Sequence, residues 1–272
     1  MHNVLPAHQT KHLSQLQYPF RTCCFHLAQR DNGQTNGTAL WLGAQCLSLY
    51  LADICARKSA TAAKQRPRVI ELGSGVGLSA LALSSLGWDV LATDLPDVIS
   101  AVLSGNIARN ISNLPLTSGA IQVCVLDWTI PPDKWTWDND LHIAASSEDR
   151  IELSSLSSRC EERLRPPFDM IISADTMYNP ALVDPFLRTL HNLSVLSSSG
   201  AKRAPPVYLC IERRDPTLIQ QALASAKDTW NFAVERIFRK KVVKAMDKGG
   251  LTWTPEDWDG VEIWKLTLRN TA

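Results

Sequence analysis

Two acidic residues frame the chemistry open to this chain. Glu71 ends an apolar run in VIELGSGVGL (69–78), and Asp94 ends a second run in ATDLP (92–96). Between them stand Gly73, Ser74, Gly75 and Gly77, spaced G-x-G-x-G. A glycine-rich turn from strand to helix brings backbone N–H groups close to a ligand at the helix N-terminus. The dinucleotide fingerprint G-x-G-x-x-G needs glycine where Leu78 stands, which disfavours a nicotinamide dinucleotide. A carboxylate two residues before the first glycine sits badly beside a pyrophosphate and suits an ammonium group. Asp94 stands where an acidic side chain accepts hydrogen bonds from ribose hydroxyls. The bland readings are a ligand-free glycine turn, and Asp94 as a helix N-cap before Leu95 and Pro96.

Glu71, the glycines and Asp94 together describe a nucleoside with an amino-acid tail and no phosphate, the shape of S-adenosylmethionine. The elements that must hold them follow from the patterning. RVIEL (68–72), WDVLATD (88–94), AIQVCVLD (120–127), FDMIISAD (168–175), VYLCIER (207–213), FAVERIF (232–238) and VEIWKLTL (261–268) read as seven strands. Helical patterns fall after the first, second, fourth and fifth of them, near 78–86, 96–110, 181–196 and 216–229. This alternation predicts an α/β fold: a Rossmann-like, seven-stranded, mostly parallel sheet with helices on both faces and an antiparallel terminal hairpin. Upstream, GTALWLGAQCLSLYLADI (37–54) reads as a helix with Thr38 as its N-cap. Residues 1–36 are an N-terminal extension, in which Phe20 to Leu27 could form an edge strand. The domain runs from 37 to 272, interrupted by a long insertion at 129–167 whose serine-rich second half reads as a mobile loop or short exposed helix. The run from Lys240 to Asp259 is a second segment that breaks the compact plan; the basic stretch RKKVVKAMDK (239–248) reads as a solvated loop, with contact to an acidic partner or nucleic acid as the alternative.

ELGSGVGL, TDLP, LDW and ADTMY resemble the motifs of the seven-β-strand S-adenosylmethionine-dependent methyltransferases, and among them are similar to the non-histone protein-lysine methyltransferase family. Gly37 and Trp41 in GTALW fit the same pattern. The resemblance spans about Gly37 to Leu268 apart from the insertions. It implies that Glu71, Gly73 and Gly75 face the methionine part and ribose of the cofactor, with Ser74 and Gly77 in the same turn. Asp94 would hold the ribose hydroxyls and Leu95 would lie against the adenine. Asp127 and Trp128 would close the adenine pocket, Trp41 would cover the cofactor, and Ala174 would line it beside the catalytic pair Asp175 and Tyr178. For Trp41 and Trp128 the alternative is a core aromatic.

Methyl transfer to an amine is an in-line displacement that needs alignment and the exclusion of water. A lysine amine with a reference pKa of about 10.4 must first lose its proton, at roughly 4–5 kcal/mol near pH 7. A neighbouring carboxylate stabilises the ammonium form, and with a pKa near 4 accepts that proton poorly. Asp175 therefore reads as a group that grips and aims the amine, and Tyr178 as a wall of the lysine channel. The alternative has Asp175 capping the next helix and Tyr178 packed beneath it. Enzymes that methylate base amines carry a proline pair in this motif, and DTMY has none, so a nucleic-acid substrate is not expected.

The totals agree. With 272 residues, 45% hydrophobic and a net charge of +1, the chain has the composition of a soluble globular domain without a global preference for polyanions. Seven cysteines without a C-x-x-C pair read as reduced thiols of a cytosolic or nuclear protein, and no metal site is expected. No apolar run reaches membrane-spanning length. The expected partner is a protein presenting a lysine to a monomeric enzyme. A methyltransferase for small molecules or nucleic acids, and a non-catalytic binding module of the same fold, are the competing readings.

Overall fold

The computed structural model describes residues 4–30, 36–56, 65–146, 163–198 and 203–269. Its main sheet is built from β3 (Arg68–Leu72), β4 (Asp89–Asp94), β5 (Ile121–Leu126), β6 (His142–Ala144), β7 (Met170–Ala174), β8 (Val207–Glu212), β9 (Phe232–Arg236) and β10 (Val261–Leu268). They lie side by side in the order β6-β5-β4-β3-β7-β8-β10-β9. Strands β6 to β8 of that order pair in parallel, and β10 runs antiparallel between β8 and β9. The sheet thus has eight strands, not the seven expected. The extra one, β6, comes from inside the insertion and is too short and too isolated in the sequence to show a period.

Alternate residues of each strand serve two cores. Val69 faces the core shared with α2 (Leu42–Ala56) and α3 (Leu78–Ser85), whereas its neighbour Ile70 faces the core of α6 (Pro180–Leu196) and α7 (Pro216–Asp228). Between β4 and β5 the chain forms α4 (Pro96–Val98), a π-helical turn (Ile99–Leu103) and α5 (Ser104–Ile111). The π turn holds one extra residue, so Val98, Val102 and Ile107 all stay buried despite their uneven spacing.

Residues 4–30 hold a short helix, α1 (Ala7–Thr10), and the hairpin β1 (Gln15–Phe20) and β2 (Cys23–Ala28), which pairs with itself and not with the main sheet. No main-sheet edge strand therefore forms over 20–27. Asn110 instead brackets His26, accepting its N–H at 2.8 Å and donating to its carbonyl at 2.8 Å. Asn106 does the same at Ala28 and also donates to the carbonyl of Val76 at 3.0 Å, so the hairpin is tied to the glycine turn. Thr38 is not an N-cap: it closes a 3-10 turn (Asn36–Thr38) and donates its hydroxyl to Arg30 O at 2.6 Å. The basic run at 239–248, expected as a solvated loop, is instead α8 (Arg239–Lys248), which buries Val242, Ala245 and Met246 in the α2 core. Those three apolar positions at helical spacing outweigh the basic residues between them. The serine-rich half of the insertion, 147–162, lies outside the described residues.

Candidate active site

In the main sheet β4 lies on one side of β3 and β7 on the other. Above the carboxyl ends of strands at such a reversal, an open α/β sheet forms a crevice. A cavity of about 350 Å3 opens there, a size that suits a small molecule. Each wall comes from one crossover. Gly73 and Gly75 follow β3, Asp94, Leu95 and Val98 follow β4, and Asp127, Trp128 and Thr129 follow β5. Asp175, Thr176 and Tyr178 follow Ala174 at the end of β7, Arg214 follows β8, and Gly37 and Trp41 precede α2.

The first glycines are required by both conformation and space. Gly73 and Gly75 have φ of +70° and +55°. A Cβ on Gly73 would lie 2.7 Å from Thr176 Cγ2, and one on Gly75 would lie 3.1 Å from the Gly37 carbonyl oxygen. Gly77 also has positive φ, but it faces Leu103 and Ile107 and serves packing, not the cavity. Glu71 and Ser74 do not line the cavity either. Glu71 is 2% exposed, behind the turn. Burial pushes its carboxyl up to about 8; the Ser74 and Ser79 hydroxyls and the Ala80 amide oppose this, and Asp94 adds to it. Among the described residues neither hydroxyl nor Glu71 Oε2 completes a well-formed hydrogen bond.

Asp94 accepts one amide on each oxygen, from Gly75 on Oδ2 at 2.8 Å and from Leu95 on Oδ1 at 2.8 Å. A carboxylate has about four acceptor positions, so each oxygen can still take one hydroxyl, as a ribose diol requires. Burial raises its pKa to about 6, against the lowering effect of the two amides. Leu95, not Asp94, stands at the cap position of α4, and at 44% exposure it offers the cavity an open apolar wall.

Asp127 Oδ1 accepts both the amide and the hydroxyl of Thr129, at 2.8 and 2.7 Å, while Oδ2 takes no hydrogen bond among the described residues. The Trp128 ring packs against Phe186 with centroids 5.0 Å apart, and its buried Nε1 has no hydrogen-bond partner among the described residues. Arg188 of α6 fixes this loop from behind by donating to the carbonyls of Trp128 and Thr129, at 2.8 and 3.1 Å. Trp41 closes the opposite side, its ring approached by Lys11 Nζ at 3.8 Å and by the Arg214 guanidinium at 4.3 Å.

Asp175 has φ of +55°, a conformation that aspartate tolerates better than most residues. Its Oδ2 accepts the Gly43 amide at 2.6 Å, in the first turn of α2, and its Oδ1 accepts the Glu212 amide at 3.0 Å. It therefore caps the upstream helix, while Asn179 caps α6 by accepting the Ala181 amide at 3.0 Å. Burial is the main reason that its pKa rises to about 6; the two amides and Arg214 pull the other way and Glu212 adds to the rise. Tyr178 is 51% exposed and lines the cavity, so it is not packed beneath Asp175.

Ten of the thirteen site residues expected from the sequence thus meet at one cavity, and Glu71, Ser74 and Gly77 lie behind it. Gly43, Arg188 and Arg214 were not anticipated. Gly43 carried one signal, a glycine inside an apolar helix where it costs about 1 kcal/mol against alanine and so marks a close approach. Among the described residues no group of His, Cys, Asp or Glu could hold a metal ion, and no helix is long and apolar enough to cross a membrane.

Residues 26–147 match a family model described as lysine methyltransferase. The match bears out the resemblance read from the motifs and supports S-adenosylmethionine as the cofactor. It contains Trp41, the glycine turn, Asp94, Asp127 and Trp128, and ends before Asp175. The chain is 36% identical over 78 residues to an EEF1A lysine methyltransferase 3 of Xenopus tropicalis, covering 29% of this chain and 33% of that protein. It is 38% identical over 65 residues to the protein-lysine N-methyltransferase rrg1 of Schizosaccharomyces pombe, covering 24% of this chain and 21% of that one. The alignments thus span a third or less of the length of these relatives. A solved human methyltransferase 10 domain containing protein superposes with a TM-score of 0.47 at 10% identity, over 89% of each chain.

Proposed function

We propose that this chain transfers a methyl group from S-adenosylmethionine to the side-chain amine of a lysine in a protein. The observation that carries the reading is the shared cavity: the ribose-type carboxylate Asp94 and the amine-type carboxylate Asp175 line one space above the sheet reversal. The residues present suit the cofactor, because Asp94 has acceptor positions to spare, Gly73 and Gly75 leave room that a Cβ would fill, and Asp127 Oδ2 awaits a donor. When bound, the cofactor supplies a methyl group already activated on a sulfonium. Asp94 would hold the ribose, Leu95 and Trp128 would flank the adenine, Asp127 would accept from its exocyclic amine, and Trp41 would cover the site.

Asp175 holds the incoming amine and does not deprotonate it. Each of its oxygens already accepts a backbone amide, so the carboxylate is fixed in place by two elements. A group with a pKa of about 6 remains mostly ionised at neutral pH, so it favours the ammonium form on arrival and stays a weak acceptor for a proton held at about 10.4. Tyr178, half exposed at the mouth, offers a ring to the alkyl chain of the lysine. Loss of the proton to water then precedes attack.

The test is transfer of radiolabel from S-adenosylmethionine to a cell lysate by the purified chain, followed by mass spectrometry of labelled bands. Methyl-lysine in protein bands is expected. Label confined to nuclease-sensitive or small-molecule fractions would replace the lysine reading.

A further inference from the structure

The basic run at 239–248 takes no part in the cavity, yet its helix stands on the same edge of the sheet. Strand β9 runs in the direction of β8, since both are antiparallel to β10, so its end at Arg236 points toward the edge that carries Asp175. Phe238, between β9 and α8, is 71% exposed, the most open aromatic among the exposed large hydrophobic residues described. It is not a loose loop tip. Ile237 donates its amide to Ile263 O at 2.8 Å, Lys241 donates its amide to Phe238 O at 2.8 Å, and Val242, Ala245 and Met246 anchor the helix in the core.

The cations around Phe238 fall into two groups. Arg236 pairs with buried Glu262 at 2.9 Å, and Arg239 sits 4.1 Å over the Trp258 ring and 3.9 Å from Asp259. Lys240, Lys241 and Lys244 are exposed and have no carboxylate partner among the described residues. Asp247 is the one acidic residue in the helix. Lys241 Nζ stands 5.7 Å over the Phe238 ring, and an open aromatic held among three lysines without a carboxylate partner matches a surface of opposite charge with an apolar residue.

We propose that Phe238, Lys240, Lys241 and Lys244 form a docking surface for an acidic segment of the protein substrate that presents an apolar side chain to Phe238. The inference rests on the lysine methyltransferase reading and adds a substrate class to it. From β7 to β9 there are three strand spacings, on the order of 14 Å. An extended chain crosses that gap in about four residues, so the acidic determinant lies about that far from the methylated lysine.

The test uses the full chain and labelled peptides that carry one lysine and, four residues on, Phe-Glu-Glu-Glu or Phe-Gln-Gln-Gln. By fluorescence anisotropy the glutamate peptide should bind about tenfold more tightly at low salt, and the difference should shrink as salt is raised. K240E/K241E/K244E should abolish the preference, K240Q/K241Q/K244Q should weaken it, and F238A should weaken both peptides several-fold, with thermal unfolding unchanged. KM for the glutamate peptide should rise in these variants at constant kcat. Equal binding of the two peptides, or a preference as large in the glutamine variant as in the wild type, would overturn the proposal. So would tighter binding of a poly-uridine oligonucleotide of equal charge, which would make this a nucleic-acid surface. Because anisotropy needs no turnover, a peptide that binds as expected but is never methylated would instead remove the lysine methyltransferase reading.

Discussion

The amide of Gly43 donates to Asp175 Oδ2 at 2.6 Å, so one carboxylate joins the start of α2 to the end of β7. The same side chain reaches β8 through the Glu212 amide. A residue proposed to meet the substrate amine is thus also a structural clip, and two of its effects must be separated in any substitution.

Asp175→Ala should abolish most turnover and also destabilise the chain by about 2–3 kcal/mol, through a lost helix cap and an unsatisfied Glu212 amide. Gly43→Ala tests the geometry from the other side, because its Cβ would lie 2.5 Å from Asp175 Oδ2 and must displace it. Both variants should keep S-adenosylhomocysteine affinity within a few-fold, by calorimetry at a temperature where they are folded. Wild-type rates in either would take Asp175 out of the active site.

Asp94→Ala removes both the acceptors proposed for the ribose and the acceptor of the Gly75 amide. S-adenosylhomocysteine binding should fall at least tenfold, corresponding to about 1.4 kcal/mol or more. Unchanged affinity would refute the ribose role.

Arg188 hydrogen-bonds the cavity loop through the carbonyls of Trp128 and Thr129. Arg188→Ala should therefore raise KM for the cofactor several-fold with little change in kcat once the cofactor saturates. A fall in kcat at saturation with unchanged KM would show that the loop acts on the reaction and not on the cofactor.

Glu71 couples stability to pH. Its folded pKa of about 8 lies above the ordinary 4.5, so the folded chain holds the proton more tightly than the unfolded one. Stability contributed by the neutral carboxyl is complete below pH 4.5 and is lost as pH rises toward 8, by a few kcal/mol across that window. Asp94 and Asp175 act in the same direction at lower pH, between 3.8 and about 6. Urea unfolding should give lower stability at pH 8 than at pH 6, and Glu71→Gln, which mimics the neutral acid, should flatten that slope. A Gln variant as pH-sensitive as the wild type would show that Glu71 is ionised when folded.

Much of the fold was legible because strand and helix periods are local. The apolar runs at 68–72, 89–94 and 170–174 state their own structure, and the glycine turn states where a backbone must come close. β6 was not legible, since three residues carry no period and its pairing with β5 is decided by the sheet. Nor was α8, whose lysines mask three buried apolar positions.

The sequence by itself determined which residue types the site holds, because Asp94 and Asp175 each end a strand and parallel strands deliver their ends to one edge. Tertiary structure alone decided what those residues touch. It set Glu71 behind the turn, laid the start of α2 on Asp175, and stood Arg188 behind Trp128, because these contacts join segments far apart in the chain and arise only when both sheet faces are covered.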